Sequence, residues 1–195
     1  MPRSVTQVRI FVASPGDVEA ERTALSDVVA YLQQTLGHAK GLYLKPVKWE
    51  TDAYPQMGRV QAVITEQLDL DSIDIFVGIF WKRFGTPTGE ADSGTQEEFQ
   101  NAYDRWKETR QPHILFYFCD RSISPMESFR ERDQIERVMT FREQYSDKGL
   151  YWSYEDVNDF AELARQHLYK AIEQVVEGIE DAKPVSPVPP TPVSP

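Results

Sequence analysis

The sequence has one cysteine, Cys119, in 195 residues, so no disulfide can form within the chain. Such low cysteine usage suits a reducing compartment. The three histidines, His38, His113 and His167, are scattered and show no metal-ligand spacing. Glycine is sparse, and neither a Gly-x-Gly-x-x-Gly run nor a Walker A pattern occurs, which removes the usual signatures of dinucleotide-fold and P-loop NTPase functions. Basic residues are outnumbered: 21 Lys and Arg stand against 31 Asp and Glu, a formal net charge of -10. An acidic surface repels phosphate backbones, which argues against a nucleic-acid partner and, on the same grounds, against an anionic membrane surface. No apolar run approaches the ~20 residues needed to span a bilayer. The first residues carry no apolar signal region, and the expected location is cytoplasmic.

What is present is alternation. Short β-type runs, Gln7–Ala13, Leu42–Trp49, Ile73–Phe80, His113–Cys119 and Gly149–Ser153, are separated by longer helical patterns. Pro46 makes the second run an edge strand. The third and fourth are almost continuously apolar, as strands covered on both faces should be. Helix one shows Val18, Leu25, Val29, Leu32 and Leu36 on one face and is expected to stop at Gly37. Ser14 is expected to cap it, with Pro15 in its first turn. Val60, Val63, Ile64, Gln67 and Leu68 form the inner side of the next helix. Further helices are expected from about Thr95 to Lys107, from Met126 to Tyr145 with Ile135, Val138, Met139 and Phe141 inward, and from Glu155 to Ile179. Successive β-α units predict an α/β, three-layer, flavodoxin-like fold: a five-stranded parallel sheet, order 2-1-3-4-5, with helices on both faces. Residues 1–180 are expected to form this domain. Residues 181–195, six of them proline, read as a proline-rich tail, either a linker to a downstream module or an SH3-type ligand.

Ligands of such sheets bind beyond the carboxyl ends of the strands, where the winding reverses between strands one and three. That rule selects the loops around Ser14 to Asp17, Glu50 to Gly58 and Trp81 to Gly94. The most suspicious residue is Glu98. In Ser93-Gly94-Thr95-Gln96-Glu97-Glu98-Phe99, Glu97 shares a polar face with Asn101, Asp104 and Glu108, whereas Glu98 sides with Ala102 and the aromatic face and points inward. Thr95-x-x-Glu98 also matches a capping box, so a helix cap and a ligand contact are both open. Arg22 falls on the apolar stripe of helix one, where a cation needs a structural carboxylate or a ligand phosphate. Trp81, Lys82 and Arg83 could stack a ring and neutralise a diphosphate, or could form a solvated loop over the core edge. Ser14 and Asp17 form the other wall of the crevice, at a helix N-terminus of the kind that binds anions. Cys119 reads as a buried strand residue.

The segment Val8 to Asp17, followed by Glu21-Arg22, resembles the opening of a TIR-like domain family labelled only as a domain of unknown function, DUF4062. Ile75 to Gly85 and Thr95-Gln96-Glu97-Glu98-Phe99 resemble its third strand and the start of the following helix. The resemblance spans roughly Val8 to Ile179. It implies an N-terminal module of a larger signalling or defence protein. The wider TIR group includes enzymes that cleave NAD at the nicotinamide–ribose bond with a Glu near the start of that helix, and Glu98 matches its position. The resemblance therefore implies a nicotinamide nucleotide as substrate rather than a bound cofactor, with Glu98 catalytic. Arg22, Lys82, Arg83, Trp81, Ser14 and Asp17 would be its contacts, and self-association would complete the site. A non-catalytic interaction or self-assembly module is the first alternative. An enzyme similar to nucleoside deoxyribosyltransferases is the second.

Overall fold

The structure, a computed structural model, describes residues 5–48, 52, 54, 66–85, 93–146 and 149–181. Strands β1 (Thr6–Ala13), β2 (Leu42–Val47), β3 (Ile75–Phe80), β4 (His113–Cys119) and β5 (Trp152–Tyr154) form one sheet. Its order is β2-β1-β3-β4-β5, parallel throughout, as the alternation predicts. Register is set by the apolar pairs Ile10–Ile75 and Val77–Leu115 at the sheet's centre. All six residues of β3 are buried. β2, with Pro46, pairs only with β1 and lies at the edge.

Alternate residues of each strand feed two cores. Val8, Ile10 and Val12 of β1 and Ile75, Val77 and Ile79 of β3 pack beneath α1 (Glu19–Leu32) and α5 (Val157–Asp181). On the other face Phe11, Phe76, Phe80 and Phe116 meet Phe99 of α2 (Gly94–Thr109) and Phe141 of α4 (Arg132–Ser146). That face is a phenylalanine layer: Phe99 meets Phe116 edge-on at 5.0 Å, and Phe80 stacks on Phe116 at 5.9 Å.

Several boundaries differ from expectation. Gly37 does not end helix one. The chain runs on through wide helical turns, Gln33–Gly37, and a last turn, His38–Lys40, to Gly41, whose φ of 65° is the left-handed stop. Gln33 explains the extension, because its side chain donates to Leu42 O and accepts from Leu44 N, tying the helix to β2. Ser14 does not cap α1, which begins after Val18 without a side-chain cap. The helix expected over Met126–Tyr145 is two, α3 (Pro125–Arg130) and α4. Met139, expected inward, is 58% exposed, and Tyr145 takes its place in the core. Strand five is shifted to Trp152–Tyr154. Of the expected inner residues of the second helix, Leu68 is buried; Val60, Val63 and Ile64 lie outside the described residues, as does most of the loop Glu50–Gly58.

Candidate functional site at the carboxyl ends of the strands

The loops after β1 and β3 meet at the reversal of the sheet's winding, and Asp17 joins them. Its Oδ2 accepts from the backbone N–H groups of Lys82 at 3.1 Å and Arg83 at 3.0 Å. Burial pushes the Asp17 carboxyl above the ordinary value, partly opposed by those two N–H bonds. Its Oδ1 is buried and accepts no hydrogen bond among the described residues. Arg22 closes the first loop from the helix side, donating to Ser14 Oγ at 3.3 Å and Pro15 O at 3.2 Å. Ser14, Asp17, Arg22, Trp81, Lys82 and Arg83 thus come together as the sequence implies, with Asp17 as a latch between the walls.

The two loop cations are engaged. Lys82 Nζ lies 2.7 Å from Glu127 of α3, and Arg83 Nη2 lies 2.6 Å from Glu131, just past α3. A phosphate meeting either cation would compete with its carboxylate partner. Gln134 pins the same loop by accepting from Phe84 N and Gly85 N. Trp81 donates from Nε1 to Arg121 O at 3.2 Å. Both Lys82 and Arg121 lie against its ring, at 4.2 and 4.6 Å from the centroid.

The Lys82–Glu127 pair carries a pH signature. Glu127 titrates at about 2 against an ordinary 4.5, held down first by its bond from Lys82 and then by Ser124. A carboxyl lowered on folding contributes stability that is complete above its ordinary value and is lost as pH falls toward the folded one. The Lys82–Glu127 pair should therefore open between about pH 4.5 and about pH 2. NMR titration of the Glu127 carboxyl carbon is expected to show the low midpoint in the wild type and a return toward 4.5 in Lys82→Met. An unchanged midpoint would show that Lys82 is not its cause.

Sequence reasoning missed Glu21. It is 1% exposed in the first turn of α1, and Arg121 Nη2 donates to it at 2.5 Å. The signal was present: Val18, Glu21, Leu25, Val28, Val29 and Leu32 are the buried stripe, so the inward charge of the Glu21-Arg22 pair is the carboxylate. Nearby, burial pushes the Cys119 thiol up, away from the thiolate that nucleophilic work requires.

Glu98 lies in the second turn of α2 and is 6% exposed. It is not the capping residue. Ser93 is the N-cap, accepting from Gln96 N at 3.1 Å, which sets the cap two residues earlier than Thr95 and leaves Glu98 beyond the capping positions. Glu98 lines a cavity of about 30 Å³ with Phe11, Phe76, Asn101 and Arg105. That is room for water, against the ~300–1,000 Å³ of small-molecule sites. The cavity runs toward Leu70 and Ile73, below the amino end of β3, rather than toward the crevice above. Arg105 closes that end by donating to Leu70 O and Ile73 O.

Among the described residues no helix is long and apolar enough to cross a membrane. No curated protein matches the chain. The model of a family described as a domain of unknown function, DUF4062, matches residues 9–169, and the chain belongs to that family.

Proposed function

We propose that the chain is a TIR-like effector or signalling domain that binds a nicotinamide nucleotide and cleaves its N-glycosidic bond, with Glu98 as the catalytic carboxylate. The observation that carries this reading is a buried carboxylate in the helix following β3 that the helix cap does not require. Fission of the ribose C1′–N bond sends the bonding pair to the nicotinamide nitrogen and releases neutral nicotinamide. Positive charge builds on the ribose, where a carboxylate stabilises it. Water then adds at C1′ and loses a proton, giving the hydrolysed nucleotide. Trp81 would stack on a ring of the substrate, and Glu98, whose cavity runs away from this crevice, would reach the ribose only on a rearrangement of α2. Lys82, Arg83 and Arg22 would exchange their present partners for its phosphates, while Ser14 and Asp17 form the opposite wall.

A second reading, a non-catalytic self-assembly or interaction module, is favoured by the small cavity beside Glu98 and by the carboxylates that already hold Lys82 and Arg83. One assay separates them: nicotinamide release from NAD by the purified chain at concentrations high enough to drive self-association. Under the first reading Glu98→Gln is expected to lower the rate by roughly 100-fold or more while the far-UV spectrum and melting curve stay the same. No release by the wild type under those conditions would sink the enzymatic reading and leave the interaction module. Equal release by wild type and variant would remove Glu98 from the chemistry.

A further inference from the structure

The sheet has an open side below β5. That strand is three residues long and pairs only with Tyr117–Cys119, so the lower half of β4, His113–Phe116, has no strand beyond it among the described residues. A groove of about 350 Å³ follows this edge. It is bounded by Trp106 of α2 on one face of the sheet, by α5 on the other, and by Leu150 to Trp152 above. Leu150 is 78% exposed and Trp152 39%. The two tryptophans are held in place before anything binds. Trp106 stacks on Tyr103 at 5.8 Å and carries the Arg110 guanidinium at 4.6 Å, while Trp152 meets His167 edge-on at 5.0 Å.

We propose that this groove seats the chain's own proline-rich segment, residues 184–195. Three observations carry the choice of occupant. First, aromatic slots fixed by their neighbours are what polyproline II segments dock into, because rigid rings lose little freedom on contact with a stiff, preformed chain. The segment Pro-Val-Ser-Pro-Val-Pro-Pro-Thr-Pro-Val-Ser-Pro has that composition. Second, the segment is tethered beside the groove. α5 lines it as far as Gln174 and ends at Asp181, about 10 Å further along the helix axis. Twelve residues of polyproline II span about 37 Å, ample to turn back, and a short tether gives an effective concentration of order millimolar. Third, the segment carries no charged side chain, and the groove is lined by one Lys, Arg, Asp or Glu, Lys170; its exposed apolar walls are Leu150 and Trp152, with Trp106 and Tyr151 half-buried beside them.

The test is NMR relaxation on the full chain, reading the backbone amides of Ser186, Val188, Thr191 and Val193. Docking is expected to give order parameters near ~0.8 in the wild type and below ~0.6 in Trp152→Ala. The combined variant Pro187→Ser, Pro189→Ser, Pro190→Ser leaves residues 5–181 untouched and is expected to release the segment in the same way, so the test stands even if Trp152→Ala fails to fold. Values below ~0.6 in the wild type overturn the proposal. So does order that the proline variant keeps. Order that appears only on concentration, with a doubled mass by light scattering, assigns the groove to a second copy and overturns it as well.

Discussion

Arg121→Ala is expected to destabilise the fold by roughly 2–4 kcal/mol, read as a lower midpoint in urea with an unchanged slope. The reason is what the substitution leaves behind. The Glu21 side chain is 2% exposed, and Arg121 is its ion-pair partner at 2.5 Å. Removing the cation strands a carboxylate out of water, and stranding one member of a buried pair typically costs ~3–5 kcal/mol. Arg121 itself is 38% exposed, so water entering the vacated space softens the penalty and sets the lower range. Loss of the guanidinium from the Trp81 face adds about 0.5–1 kcal/mol. The double variant Glu21→Met, Arg121→Met is expected to recover most of the loss, because two apolar side chains of similar length leave no uncompensated charge. A midpoint for Arg121→Ala within ~0.5 kcal/mol of the wild type would show that Glu21 finds other solvation.

The same pair shows where the sequence is and is not legible. Strand order follows from local patterns, because β-type runs and helical stripes are written in residues close together. β4 was read to its last residue for that reason. Val18, Leu25, Val29, Leu32 and Leu36 are all buried, as the stripe predicts, but the inward charge of helix one is Glu21 rather than Arg22, about 100° away around the axis. Val28, also buried, widens the stripe toward the Glu21 side. The carboxylates that hold Lys82 and Arg83 lie 45 and 48 residues away, and nothing in the spacing of the loop announces them. Whether Glu98 belongs to a capping box stays open in the sequence because Ser93 and Thr95 both suit an N-cap, and only the backbone distinguishes them: Ser93 is extended, with φ -162° and ψ 161°. Thus the fold and the gathering of the two loops were readable, but the electrostatic state of the gathered residues was not.

That state shapes how the crevice can work. Asp17, Glu127, Glu131 and Gln134 fix the Trp81–Gly85 loop from both sides, through its backbone and its side chains together. Drawing Lys82 from Glu127 would still leave the loop joined to the α3–α4 segment through Arg83–Glu131 and Gln134. α3 carries Met126, 61% exposed, and Phe129, 80% exposed. Both side chains are exposed while the Lys82–Glu127 pair is formed, so that pair does not hide the apolar turn.

Gly78→Ala is expected to destabilise by about 3 kcal/mol, against the sign that propensity alone gives. Glycine in a strand interior costs roughly 0.5–1 kcal/mol relative to alanine, so an unobstructed site would gain stability from the change. Gly78 is not unobstructed. It lies between Phe76 and Phe80 on the phenylalanine face, and the ring of Phe116 covers it, with Cδ1 2.8 Å and Cζ 2.9 Å from where a Cβ would be. That ring cannot step aside, because Phe76, Phe80, Phe99 and Tyr145 surround it at centroid distances of 6.1, 5.9, 5.0 and 4.5 Å. A methyl group there must displace a side chain locked on every side, or bend β3, the most buried strand of the sheet. Phe116→Leu alone should cost about 1–2 kcal/mol through the cavity it leaves. In the Gly78→Ala background the same change should cost less or even restore stability, because the shorter side chain vacates the space the methyl needs. Denaturation of the two single variants and the double measures that coupling directly. Additive losses would mean that the strand, rather than the ring, yields to the methyl.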